Sequence, residues 1–410
     1  MDQQTRPSGG EFRHAWTVIL AAAIGVGLGT TGLPIYTIGQ FMLPLQTAFG
    51  WSRSEIASGL LCLTVVGVVM APLVGVMAER FGVRVVAITA MVGLAIGYAS
   101  LALNRGSIAL YDAGWALLAF LGAGTSPIVW TRAVASWFDR RRGLALGLTL
   151  CGTGVVAMIA PGIVGSVIAA HGWQAGFLLL AAAQIVIGLP VVFFLFRARD
   201  TGSLATQQIP TGGVLLAQAV RGRRFWQMAA AFFLIAIVVG GMIVHLPAML
   251  ADLGLPRTAA ERALGFLGVA LIVGRLSIGA LMDRFPARVV APVFILLPVF
   301  SCLLLLRGGG TVPAVILSGL SAGAEVDLLA YLVSRYFGIM HYARIYGWML
   351  AAFSGGVGLG PVFAGWVHDR TGGYAGALGA FVVLMLAAAM LIGTLGRVDI
   401  AATRPGSSAG

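Results

Sequence analysis

A single arginine, Arg275, stands in the middle of the apolar stretch "ALIVGRLSIGALMDRF", residues 270–285. A guanidinium keeps its charge and presents its donors in a rigid fork that fits a carboxylate. Further along, "SAGAEVDLLAYLVSRYF" (321–337) carries two acids, Glu325 and Asp327, inside another apolar run. Desolvation and a nearby cation act in opposite directions on a buried carboxylate, so such a group can load and release a proton. These are the parts needed to bind a small organic anion and to move a proton with it. A structural reading competes: Arg275 is half of an ion pair that locks two helices, and the acids hold Arg275 or Arg335 in place. Residues two apart on a helix point about 200° apart, so Glu325 and Asp327 cannot share one face. Of the two, Asp327 better matches the depth of Arg275. His245, in "GGMIVHLPAML", can hydrogen-bond a carboxylate or carry a proton, and Tyr36, in "TTGLPIYTIGQF", offers a phenol to the same site. Plain packing competes for both.

The elements that position these groups follow from composition. Of 410 residues, 59% are hydrophobic and only 10% are charged. Soluble domains carry about 25% charged residues, so this chain has too little polar surface to face water. A helical span needs about 20 apolar residues. Twelve segments qualify: 15–40, 55–78, 84–103, 107–131, 142–169, 173–196, 225–250, 259–282, 287–307, 311–335, 343–367 and 374–396. The expected fold is an all-α membrane protein with two six-helix bundles, residues 1–196 and 225–410, joined by a polar linker over 197–224. Counted from an outer end near Ala259, Arg275 lies about 24 Å deep at 1.5 Å per residue. An arginine there costs at least about 2.5–3.5 kcal/mol and must face a wet cavity or a partner.

All 26 basic residues are arginine, and the net charge is +12. The arginines gather at the ends of apolar segments, without interleaved aromatics, which argues against nucleic-acid binding. Eighteen fall in segments expected inside and six in segments expected outside, with Arg132 and Arg275 inside spans. The positive-inside rule then puts both termini in the cytoplasm of a cell whose inner (plasma) membrane the chain crosses many times. The three cysteines and five histidines do not cluster. With no metal spacing, phosphate loop or nucleophile–base pair, neither a metal, a cofactor nor an enzyme is expected.

The chain repeats itself. "APLVGVMAERFGVRVV" begins at Ala71 and "RLSIGALMDRFPARVV" at Arg275, so Gly75, Glu79, Arg80 and Arg84 align with Gly279, Asp283, Arg284 and Arg288. "AGTSPIVWTRAVASWF" from Ala123 matches "AGAEVDLLAYLVSRYF" from Ala322 at nearly the same spacing. Arg275, Glu325 and Asp327 align with Ala71, Ser126 and Ile128, so the duplication does not require the three charges. Duplicated halves are a known transporter plan, with the binding site near the midplane.

The first of these loops, carried by Gly75, Glu79, Arg80, Phe81, Gly82 and Arg84, resembles the signature loop of the major facilitator superfamily. Its echo in the second half has Pro286 in place of the second glycine. "FMLPLQTAFGWSRSEIASG" (41–59) and "WFDRRRGLALG" (137–147) resemble the branch that holds the monocarboxylate transporters and the oxalate–formate exchangers. The resemblance implies that an arginine in the eighth span, here Arg275, binds the substrate carboxylate. It implies a cytoplasmic gate built from Gly75, Glu79, Arg80, Gly82, Arg84, Asp139, Gly279, Asp283, Arg284 and Arg288. Two departures matter. The aspartate that monocarboxylate transporters carry one turn before the arginine is Leu271 here, and the eleventh span lacks the lysine of the oxalate exchangers. One deep cation suits a monoanion, and a tenth-span acid would have to take over proton coupling. The expected function is secondary active transport of small organic anions, as proton-coupled monocarboxylate symport by alternating access, with a monomer sufficient. Proton-driven export of amphipathic compounds and a non-transporting receptor or scaffold are the alternatives.

Overall fold

The structure, a computed structural model, describes residues 10–138, 142–196, 214–285, 287–338 and 342–396. Among these residues twelve helices are long and apolar enough to cross a membrane. They are α1 Ala15–Phe49, α2 Arg53–Ala78, α3 Val83–Ala102, α4 Ile108–Val134, α5 Leu144–His171, α6 Trp173–Leu195, α7 Arg223–Asp252, α8 Thr258–Met282, α9 Val289–Leu306, α10 Thr311–Phe337, α11 Arg344–Thr371 and α12 Ala375–Gly393. These match the twelve apolar segments of the sequence, and the fold is all-α, as expected. The first span runs past residue 40 because a second half-helix, Leu33–Phe49, continues it. Contacts in space group Met1–Trp51 with Ser58–Gly202 as one unit, and Ser52–Ala57 with Ser203–Gly410 as another. The short segment Ser52–Ala57, at the start of α2, therefore belongs with the second unit.

In lipid the apolar effect does not drive helices together, so close packing must, and small residues allow it. In the second unit, α8 and α10 meet backbone to backbone. A Cβ on Gly323 would strike the Leu271 carbonyl oxygen and come within 2.9 Å of the Arg275 amide nitrogen. A Cβ on Gly274 would strike the Leu320 carbonyl, and one on Gly319 would lie 2.6 Å from the Leu267 oxygen. Gly319 and Gly323 are four residues apart and share a helix face. The same device joins α7 to α11, where Gly356 and Gly360 leave room for the carbonyls of Phe233 and Ile237. In the first unit, Gly152 of α5 admits the Ala23 carbonyl of α1.

Several spans of the first unit are interrupted, α1 and α4 among them. The helix Gly10–Leu28 stops, and Leu33–Phe49 starts after Gly32. A side chain on Gly32 would overlap the Gly27 carbonyl, so only glycine allows the chain to turn there. In α4 a 3₁₀ turn, Ala123–Thr125, precedes the helix Pro127–Ala135. Polar groups freed at these breaks find partners, as a bilayer demands. The Thr30 amide donates to Thr125 Oγ1 at 3.1 Å, Trp130 Nε1 donates to the Thr125 carbonyl at 2.8 Å, and Gln184 Nε2 donates to the Leu28 carbonyl at 2.9 Å.

The α8–α10 seam makes a clear prediction. Gly323→Ala should lower thermal stability by about 1–3 kcal/mol or more, because the helices must separate to admit the methyl group. At Gly279, four residues past Arg275, an added Cβ would meet nothing within 4 Å. Gly279→Ala should be neutral or slightly stabilising. Melting of the two variants in detergent, followed by circular dichroism, separates them; equal melting temperatures would mean the seam is not tight.

Candidate functional site

The α8–α10 contact places Arg275 against Asp327. Arg275 Nε lies 3.3 Å from Asp327 Oδ2, with side-chain exposures of 9% and 34%. The two contacting atoms are buried, while the rest of the Asp327 side chain is partly exposed. Glu325, two residues earlier on α10, turns away as helical geometry requires. It is 9% exposed and Oε2 has no hydrogen-bond partner. It lines a narrow cavity with Ile235 of α7, Phe294 and Ile295 of α9, and Ser321 and Leu328 of α10. The two acids thus occupy different surroundings, one beside the cation and one in an apolar cleft.

The structure brings Arg275, Glu325 and Asp327 together but not His245. His245 is fully buried in α7 and spends both ring nitrogens on the protein. Nε2 lies 2.7 Å from the Pro361 carbonyl, and Nδ1 lies 2.7 Å from the Tyr374 hydroxyl. A carbonyl only accepts, so Nε2 carries the hydrogen and Nδ1 accepts from Tyr374 when the ring is neutral. Tyr36 lies half-buried in the first unit, on the half-helix Leu33–Phe49.

Tyr374 leads to residues that sequence reasoning missed. Its oxygen accepts a hydrogen bond from Arg53 Nη1 at 2.8 Å. Arg53 also donates to both oxygens of Asp252, at 2.8 and 3.0 Å, in the two-pronged geometry that arginine favours. Asp369 accepts from the amides of Arg53 and Ser54, each at 3.0 Å, and from Ser54 Oγ at 2.6 Å, capping the start of α2. His368 Nε2 stands 3.4 Å from Asp252 Oδ2. Gly365 makes room, because a Cβ there would lie 2.6 Å from the Ser54 amide nitrogen. Burial pushes the Tyr374 hydroxyl above the usual phenol range, against the pull of Arg53, so it remains a neutral donor. Arg53 counted in sequence as a loop arginine, yet it is 4% exposed. The available signal was weak: a W-S-R-S-E run at a span start, and rare aspartates, Asp252 and Asp369, at the ends of two others.

The glycines and arginines of the two loop motifs sit at helix ends. Gly82 has φ +81°, a conformation that favours glycine. Arg80 is exposed, with its guanidinium 5.4 Å from the Phe81 ring centre. Arg84 donates to the Phe193 carbonyl and lies 5.2 Å over that ring. Gly75 and Gly279 have open space around them, and Arg284 is exposed. Asp139 and the side chains of Glu79, Asp283 and Arg288 lie outside the described residues.

With this geometry established, comparison with known proteins decides the family. The model of the Major Facilitator Superfamily matches residues 15–337. The chain belongs to the major facilitator superfamily. It is therefore a multi-pass membrane protein of a transporter family, with a lipid bilayer around it and a substrate to carry. Monocarboxylate transporter 11 of Mus musculus is 26% identical over 396 residues, covering 90% of this chain and 83% of that protein. The galacturonate transporter of Dickeya chrysanthemi is 28% identical over 193 residues, 42% of this chain and 53% of that protein. Among solved structures, a bacterial homologue of the human lysosomal transporter Spinster superposes with a TM-score of 0.71 at 15% identity, over 98% of this chain and 100% of that one. That likeness establishes the major facilitator fold.

The Arg53 cluster can be tested directly. Asp252→Ala leaves a buried guanidinium without its counter-charge. It should cost about 2 kcal/mol, less than for a fully enclosed pair because Asp252 is 38% exposed. Removing both charges in Arg53→Met/Asp252→Ala should restore most of that loss. A double variant no more stable than Asp252→Ala in a detergent melt would show that the cluster does not act through charge pairing.

Proposed function

We propose that this chain is a secondary active transporter of small organic anions, working by alternating access, with monocarboxylates as its substrate class and protons as the coupling ion. The observation that carries this reading is the Arg275–Asp327 pair, a buried fork of donors beside a half-exposed carboxylate. Intramembrane charges at such depth are expensive and mark pathways for substrates or ions. A guanidinium presents its donors as a fork that can serve more than one acceptor, so an entering carboxylate can bind Arg275 while Asp327 remains its counter-charge. The named substrates of the relatives support an anion: monocarboxylate and galacturonate each carry a single carboxylate.

In this reading both termini face the cytoplasm of the inner (plasma) membrane, and Arg80, Arg84, Arg284 and their neighbours form the cytoplasmic gate. Arg275 holds the substrate, and the acids of α10 couple it to protons. Tyr36 lines the pathway. His245, with both nitrogens engaged, holds the Tyr374–Arg53 network in place. A single copy of the chain suffices.

The test is uptake of labelled acetate, pyruvate and galacturonate into proteoliposomes under an inward proton gradient. Wild-type protein should accumulate at least one of them. Arg275→Lys keeps the charge but loses the fork, and should lower uptake efficiency about 10- to 100-fold, the worth of one charge-assisted hydrogen bond. Near wild-type uptake by Arg275→Lys would remove Arg275 from substrate binding. Inactivity towards all three anions, with proton-dependent export of a lipophilic dye, would favour the exporter reading.

A further inference from the structure

We propose that Glu325, and not Asp327, is the proton-binding site, and that a proton on Glu325 and an anion at Arg275 favour one another. This inference rests on the transport reading above and deepens it by deciding between the two acids of α10. Depth along the span pointed to Asp327. The packing points to its neighbour.

Asp327 already has a task. It lies 3.3 Å from Arg275 and supplies the counter-charge that a buried guanidinium needs. An acid that must stay ionised to hold an arginine is poorly suited to pick up a proton in each cycle. Glu325 is free of that task. Its Oε2, like Asp327 Oδ2, is buried without a hydrogen-bond partner; what sets Glu325 apart is the cavity beside it, walled by Ile235, Phe294, Ile295 and Leu328. The charged group that acts on it is Arg275 of α8, itself engaged by Asp327. The residues that α7 and α9 contribute to the cavity are apolar. A carboxylate here would be a buried charge without a cation of its own, whereas the carboxylic acid is neutral and needs only an acceptor for its O–H, which a water in the cavity can supply. The cavity is narrow, with room for about one water molecule and none for an organic anion. It is suited to passing a proton and unsuited to holding substrate.

Charge counting gives the coupling. Arg275 and Asp327 cancel. With Glu325 ionised, an arriving anion meets a site that already carries one net negative charge. With Glu325 protonated, the same anion meets a neutral site. The anion therefore binds better to the protonated form, and by linkage the proton binds better to the anion-loaded form by the same factor. The step is a simple transfer: hydronium gives its proton to the Glu325 carboxylate and leaves as water, with the reverse on the other side. The carrier then moves one anion with one proton.

The experiment uses the full-length protein in lipid and infrared difference spectroscopy across a pH titration. It reads the C=O stretch of protonated carboxyl groups and needs no substrate. A titrating band should be present in wild type and in Asp327→Asn, and lost in Glu325→Gln. Glu325→Asp should keep a band with a shifted midpoint, which guards against a Glu325→Gln protein that fails to fold. A band that survives Glu325→Gln, is unmoved by Glu325→Asp, or disappears only with Asp327→Asn would overturn the proposal. In the proteoliposome assay, Glu325→Gln should lose gradient-driven accumulation while keeping anion counterflow, since exchange moves no net proton. If wild type carries none of the three anions, the transport reading fails, and the infrared bands still decide whether Glu325 binds the proton.

Discussion

Everything in the second unit depends on how closely α8 and α10 approach. Two helices whose carbonyls touch the neighbour's backbone cannot tolerate any side chain in between, and Gly274, Gly319 and Gly323 provide none. That contact puts the Arg275 amide beside the Gly323 position and brings the guanidinium within reach of Asp327 one turn on. A looser contact would leave a cation in hydrocarbon without its counter-charge, at a cost that membrane helices avoid. Packing by small residues is thus the condition for having a charge at that depth at all.

The same logic separates two kinds of charged cluster. At Arg275 the guanidinium stands 3.3 Å from the carboxylate of Asp327, across the glycine seam. At Arg53 the guanidinium donates to Asp252 and Tyr374, while Tyr374 is held in turn by His245. A hydrogen-bonded network that joins the starts and ends of several helices fixes their geometry. Arginine serves both ends because its fork can be closed by one carboxylate or shared among several acceptors.

Much of this was legible in the sequence. The twelve spans follow from runs of apolar residues, and the all-α fold follows from the twelve spans. The duplication around Gly75 and Gly279, with its loop charges, pointed to the superfamily before any geometry was known. Arg275, Glu325 and Asp327 stood out because charges are so scarce in this chain. The partners of those charges were not legible. Which acid meets the arginine depends on helix rotation about the glycine seam, and spacing alone fixes only that the two acids point apart. The Arg53 cluster draws on the starts or ends of α2, α7 and α11 and on Tyr374 before α12, residues far apart in sequence whose types look like ordinary helix-end chemistry. His245 was read as a candidate ligand because sequence cannot see that a proline carbonyl and a phenol have taken both its nitrogens.

The interruption of α1 carries a mechanical meaning. A continuous helix resists bending because each degree of bend stretches hydrogen bonds along one side. Between Leu28 and Leu33 the regular ladder is already absent, and the freed Leu28 carbonyl and Thr30 amide are held instead by Gln184 of α6 and Thr125 of α4. The two rods of α1 are therefore joined by a pivot whose stiffness is set from outside the helix. A shift of α4 or α6 can redirect the second rod without breaking a single turn, so this first span behaves as a lever steered by its neighbours.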